Sequence, residues 1–221
     1  MPLPMVHLGV AVRYFEGGGV PEAFALGSIA PDAIHMRAGA CREDKVRTHF
    51  GGKETTPDIL EREYASYLGL SDEPEWRVYV QGYFAHVLTD YLWGQSVYED
   101  FKRRTEQDGL PPGEIKNTYY VDTDGIDFRL YETSAWTDEI RAGLLRVPAR
   151  GVPPLLTERE VDEWRLRTLH WFEEPAHRPE SEPKYVTMAI VEDFIRQTGD
   201  ATRDAIREWE ARLERTGGHR S

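Results

Sequence analysis

Apolar positions recur at helical spacing along most of the chain. Val6, Val10 and Tyr14 lie one turn apart, and the run stops at Gly17-Gly18-Gly19, which predicts a first helix with a glycine C-cap. Thr56-Pro57-Asp58 supplies an N-cap, a proline at the first helical position and an acid in the first turn. That helix carries Ile59, Leu60, Tyr64 and Tyr67 and ends at Gly69. The longest element is predicted to open near Pro74. Its apolar residues Trp76, Val80, Tyr83, Phe84, Val87, Leu88, Tyr91 and Leu92 cover more than half of the helical circumference, so it should be buried on most sides. Thr157-Glu-Arg-Glu160 is a capping box that opens a helix through Trp164, Leu166 and Leu169. Two further helices are expected, from about Pro183 to Thr198 with Gly199 as cap, and from Thr202 to about Arg215. Strand alternation is scarce, and Thr118 to Val121 is its best candidate. The middle reads as irregular over 109–125 and 147–156, with Pro111-Pro112 and Pro153-Pro154 as loops inside the fold. The expectation is an all-α protein, one multi-helix domain over 1–221.

Composition agrees with a folded domain: 40% hydrophobic and 30% charged residues in a chain of 221. No stretch approaches the roughly 20 apolar residues of a membrane span. The N-terminus has no Lys or Arg before its apolar run and no small-residue cleavage site, so it reads as a working helix rather than a secretory signal. Cys41 is the only cysteine, which excludes an intramolecular disulfide and a CxxC zinc ribbon. The expected compartment is cytoplasmic. A net charge of −12 disfavours nucleic acid and anionic membrane surfaces as partners. Oligomeric state is not encoded in any of these features.

The chain lacks HExxH, a Walker A loop, GxGxxG, a GxSxG elbow and an adjacent His-Asp pair. Asp122-Thr-Asp124-Gly125 resembles the nucleophile motif of haloacid-dehalogenase phosphatases, and Gly199-Asp200-Ala-Thr-Arg-Asp204 their Mg²⁺ motif. Those enzymes seat the first motif on a parallel strand of a doubly wound sheet. Here helical patterns fill the space between the motifs.

Five residues carry the strongest chemistry: His7, Asp32, His49, His86 and Asp90. His86-Val-Leu-Thr-Asp90 puts an imidazole and a carboxylate on one helical face, inside the most apolar helix of the chain. An ionised aspartate buried there costs several kcal/mol without a partner, and a dication is one such partner. A mutual His86–Asp90 pair, or a buried Arg, is the other. Asp32 follows Gly-Ser-Ile-Ala-Pro at a chain reversal, where it also fits an N-cap. His49 precedes the turn residues Gly51-Gly52, and His7 sits on the first, apolar helix, where a satisfied core histidine is the ordinary explanation. Three imidazoles and two carboxylates suit Zn²⁺, with Mn²⁺ or Fe²⁺ also compatible.

The order His7, Gly-Ser-Ile-Ala-Pro-Asp32, Thr-His49-Phe and Gly-Tyr-Phe-Ala-His86-Val-Leu-Thr-Asp90-Tyr resembles the zinc-dependent phospholipase C family, relatives of the P1/S1 nucleases, over about residues 5–95. The resemblance implies an all-helical fold with Asp32, His49, His86 and Asp90 around one metal, and Asp90 bridging to a second that also takes His7. It implies Asp32 as a candidate general base for the attacking water. The three-zinc members begin their mature chain with a metal-binding Trp, whereas this sequence opens Met1-Pro2 and has no Trp before Trp76. The family's third metal also needs a His soon after HxxxD and then an HxxxE. Here no His follows until His170, whose HxxxE spacing to Glu174 comes about 80 residues later than the family's pattern. Asp122, Asp124 and Asp127 are alternative carboxylate donors, or an acidic turn that is Ca²⁺-like or solvated.

The function these residues suggest is a metal-dependent hydrolase that acts on a small phosphoester through metal-activated water, holding one or two ions. Lys45 and Arg47 are candidates to neutralise the substrate phosphate, or are solvated loop cations. Tyr83, Tyr91 and Trp93 line the pocket or belong to the core. A non-catalytic helical protein with a structural metal, and a dehalogenase-type Mg²⁺ phosphatase, are the alternatives.

Overall fold

In the computed structural model residues 3–51 and 55–217 are described, so Met1-Pro2 and Gly52 lie outside the described residues. The described residues form ten α-helices and no strand, with one isolated bridge between Val152 and Leu156. The all-α expectation holds. The axis of the molecule is α5 (Pro74–Gln95), buried on most sides from Trp76 to Trp93 as its wide apolar stripe requires. Against it pack α1 (Pro4–Tyr14), α2 (Glu22–Gly27), α4 (Pro57–Leu68) and α10 (Met188–Gly217). None of the described helices is long and apolar enough to cross a membrane.

The tightest joint is α2 on α5. A Cβ on Gly27 would lie 2.2 Å from the Tyr79 carbonyl oxygen, and one on Gly82 would lie 2.2 Å from that of Phe24. Glycine on both helices lets the two backbones touch. This contact sets Ser28, the residue after α2, beside His86 of α5. A 3₁₀ helix, Ala30–Met36, then carries Asp32, and α3 (Arg42–Thr48) delivers His49 at its C-cap. Neither these short elements nor α2, α6 (Val97–Gln107) and α8 (Thr137–Arg146) follow from the apolar pattern alone.

Two capping signals are realised. Thr56 accepts the Ile59 N–H at the start of α4. Thr157 and Glu160 exchange both bonds of the capping box that opens α9 (Glu158–Trp171).

The middle of the chain departs from expectation. Residues 112–133 form one helix, α7 (Pro112–Thr133), and Thr118 to Val121 lie within it rather than in a strand. Buried acids interrupt the apolar stripe here, and each has a tertiary partner. Asp122 accepts the N–H groups of Lys184, Tyr185 and Val186 at 2.8, 2.6 and 2.9 Å. Asp127 accepts the Met5 N–H at 3.0 Å, where α1 begins. The two helices expected around Gly199 are one, because Gly199 lies inside α10. A Cβ there would come within 2.4 Å of Arg13 Cγ, so the residue is small for close packing on α1 and is no cap. The chain before Met188 is wrapped around Asp122, which is why that helix starts later than Pro183. With Asp122 and Asp124 mid-helix, and no strand among the described residues, the dehalogenase-like motifs lack the sheet that such chemistry needs.

Candidate metal centre

Four segments bring five side chains to one place. His7 comes from α1, Asp32 from the 3₁₀ helix, His49 from the end of α3, and His86 with Asp90 from α5. His7, Asp32, His49 and His86 are all buried, and Asp90 keeps a 12% exposed side chain at the edge. The rings of His7 and His86 stack with centroids 3.6 Å apart.

Backbone contacts fix which nitrogens face inward. His86 Nδ1 lies 2.8 Å from the Ser28 carbonyl, so the ring donates there and leaves Nε2 as the free lone pair. His49 Nδ1 is held in the same way, 3.0 Å from the Lys45 carbonyl. Tyr83 steadies the end of α3 by donating to the Thr48 carbonyl at 2.8 Å. The inward atoms are then left over. His7 Nδ1 and Nε2, His49 Nε2, His86 Nε2 and Asp90 Oδ1 are buried without a hydrogen-bond partner. So many orphaned polar atoms in one spot carry a large desolvation cost unless something else fills the space.

The spacing shows what fits. His7 Nε2 lies 3.5 Å from Asp90 Oδ1, and His49 Nε2 lies 3.4 Å from Asp90 Oδ2 and 3.5 Å from Asp32 Oδ1. His86 Nε2 is 3.9 Å from Asp32 Oδ2. These gaps are too long for hydrogen bonds. They are close to the roughly 3.3 Å that separates tetrahedral ligands bound at about 2.0 Å. Two overlapping groups, His7–His86–Asp90 and Asp32–His49–His86, each present ligand atoms within 4.8 Å of one another and could hold a metal ion. The donor set of imidazole and carboxylate fits a transition metal.

Electrostatics prepares the same atoms for that role. Burial pushes the Asp32 carboxyl up, but His49, Lys45 and His86 together hold it well below the usual range. Asp90 is brought down to about 2 by His7, His86 and His49 against the same burial. Burial, with His7 alongside, lowers His86 to about 3 and keeps its ring neutral. Ionised carboxylates and a neutral imidazole are the forms that bind metal.

A pocket of about 560 Å³ opens onto the centre, lined by His49 and Asp90 at its base and by Lys45, Arg42, His35 and Tyr91 along its walls. Lys45 Nζ donates to Asp32 Oδ1 at 2.9 Å and lies 3.1 Å from His35 Nε2. Arg47 instead has a 73% exposed side chain near Asp44, so it is a solvated cation and Arg42 takes the place expected of it. His35 and Arg42 escaped the sequence reading. For His35 the available signal was its i+3 spacing from Asp32.

The remaining candidate donors stay apart. Asp122 and Asp127 spend their oxygens on backbone N–H groups, and Asp124 lines a different cavity with Asp127. His170 is exposed in the last turn of α9, and Glu174 lies beyond the helix end, so they do not share a helical face. Trp93 is core, donating to the Tyr119 hydroxyl. Comparison with known protein families, with curated proteins and with solved structures finds no match to this chain.

Proposed function

We propose that this protein is a metal-dependent hydrolase of a small phosphoester, with one or two Zn²⁺ as its resident ions and Mn²⁺ or Fe²⁺ as workable substitutes. The observation that carries this reading is the set of orphaned imidazole nitrogens and paired carboxylates, of which His49 and Asp90 line an open pocket that also holds Lys45 and Arg42. It agrees with what the likeness to zinc-dependent phospholipases C implies. His7, Asp32, His49, His86 and Asp90 would hold the divalent ion, which would supply water activation near neutral pH and Lewis-acid stabilisation of a phosphoryl oxygen.

The chain's own groups do the rest. Asp32, whose Oδ1 is held by Lys45 of the pocket lining, orients the attacking water or takes its proton. Lys45, anchored on Asp32, turns to a phosphoryl oxygen when substrate enters, and Arg42 adds a second positive wall. His49 and His86 keep their reactive nitrogens aimed by the Lys45 and Ser28 carbonyls.

Metal analysis of purified protein tests the reading directly. Wild type should carry one to two equivalents of transition metal per chain, and His86→Ala/Asp90→Ala should carry none. His49→Gln, a smaller change, should lower the content and abolish hydrolysis of a chromogenic phosphodiester. Absence of metal in wild type grown with ample zinc sinks the proposal. Burial of four of the five residues favours a second reading, a metal kept for structure alone. In that case chelation removes helix content and melting temperature together, whereas a catalytic centre loses activity first.

A further inference from the structure

A second cavity, of about 170 Å³, lies between α7 and α9, walled by Asp124, Asp127, Trp164, Thr168 and Trp171, with Arg167 also in its lining. Several of its polar groups have no partner. Thr168 is only 5% exposed, yet its hydroxyl makes no hydrogen bond, although a helical threonine commonly donates to the carbonyl one turn back. Trp164 Nε1 is also buried and unpaired. Asp124 is half-buried and has no hydrogen bond or ion pair among the described residues, and burial pushes its carboxyl up to about 6 against the opposing influence of nearby His177. Asp127, one turn further on, is committed to the Met5 N–H. Arg167 does not neutralise the acids, because its guanidinium lies over the rings of Trp164 and Trp171, at 6.0 and 5.9 Å.

We propose that this cavity binds a small organic ammonium ion that also carries an oxygen acceptor, with its nitrogen on Asp124 and its oxygen receiving the Trp164 N–H. The chemistry of the walls selects that class. The Asp124 carboxyl, beside an Asp127 whose carboxyl burial pushes well up, disfavours an anion. A hard metal ion wants six or more oxygens, and indole and aliphatic walls cannot complete that shell. A single unpaired carboxylate among apolar walls suits an organic ammonium instead, which needs no such shell. The unpaired indole N–H requires an acceptor on the same ligand, and the Thr168 hydroxyl can serve either end. The inference stands apart from the metal centre, since none of the five residues there lines this cavity.

The test is a titration of the full chain with 2-methoxyethylamine, and separately with its neutral isostere 2-methoxyethanol, near neutral pH. The indole N–H signal of Trp164 is followed by NMR and assigned with Trp164→Phe. The amine should give a saturable shift at millimolar concentrations and the alcohol none. Asp124→Asn should weaken binding by at least roughly tenfold, the loss of one charge-assisted bond, with metal content unchanged. Trp164→Phe keeps the ring and should weaken binding less. Equal shifts with amine and alcohol, no saturation with the amine, or unchanged affinity in Asp124→Asn would each overturn the proposal. In those cases Asp124 is simply an acid tolerated at a half-buried position.

Discussion

Lys45 and His86 show how single residues tune the centre. The Lys45 ammonium sits where a second cation would feel it, 2.9 Å from an Asp32 oxygen. A unit charge about 4 Å away is worth roughly 1 kcal/mol even in water, and more at a partly buried site. Lys45→Met should therefore tighten zinc binding by about fivefold or more in competition with a chelating dye. Its backbone carbonyl still holds His49, so the ligand geometry survives. The same variant should raise KM for a phosphodiester more than it lowers kcat; unchanged zinc affinity would show that Lys45 does not act on Asp32. For His86, burial lowers the folded-state pKa to about 3, below an unfolded value of about 6.5. Between those values the unfolded chain binds the extra proton, so stability of the metal-free protein falls as pH drops from about 6.5 towards 3. Asp90, lowered to about 2, adds a loss of the same sign at more acid pH. Urea midpoints of metal-free protein at pH 7 and pH 5 should differ, and His86→Gln should shrink the difference.

At the scale of elements, the crossing of α2 on α5 joins fold to chemistry. Gly82→Ala forces a Cβ against the Phe24 carbonyl, a backbone atom that cannot swing away. The substitution should cost about 3 kcal/mol in chemical denaturation. It should also lower metal affinity, because Ser28, whose carbonyl orients His86, follows directly on the displaced α2. A destabilised variant with unaltered affinity would uncouple the two. Such a joint is invisible to periodicity, which sees two glycines and no reason for them. The legible parts are those whose cause is local. The stripe of α5, the Thr157 capping box and the proline start of α4 all announce themselves within a few residues. Elements whose cause is tertiary do not. In α7 the acids Asp122 and Asp127 break the apolar pattern because their partners lie 62 and 122 residues away. Gly199 looks like a stop signal because its packing partner Arg13 is at the other end of the chain. The five residues that the fold brings together are legible in the sequence as metal-ligating types, but His35 and Arg42, which also line the pocket, have no motif of their own.

At the scale of the molecule, the question is whether metal binding and the distant staples contribute independently to stability. The centre ties the N-terminal helix, the 3₁₀ helix, α3 and α5, while Asp122 ties α7 to the chain entering α10. An ion that binds only the folded state stabilises by mass action, about 2.7 kcal/mol at a hundredfold excess over Kd. Zinc should raise the melting temperature of wild type and leave His86→Ala/Asp90→Ala unmoved. Asp122→Ala strips three backbone N–H groups of their acceptor and should cost about 3 kcal/mol. None of those groups touches the centre, so the zinc increment measured in Asp122→Ala should equal that of wild type within the few tenths of a kcal/mol expected for independent sites. An increment that disappears with Asp122 would mean that the centre is assembled only when α7 is docked, and the two halves of the helical core would then have to be treated as one cooperative unit.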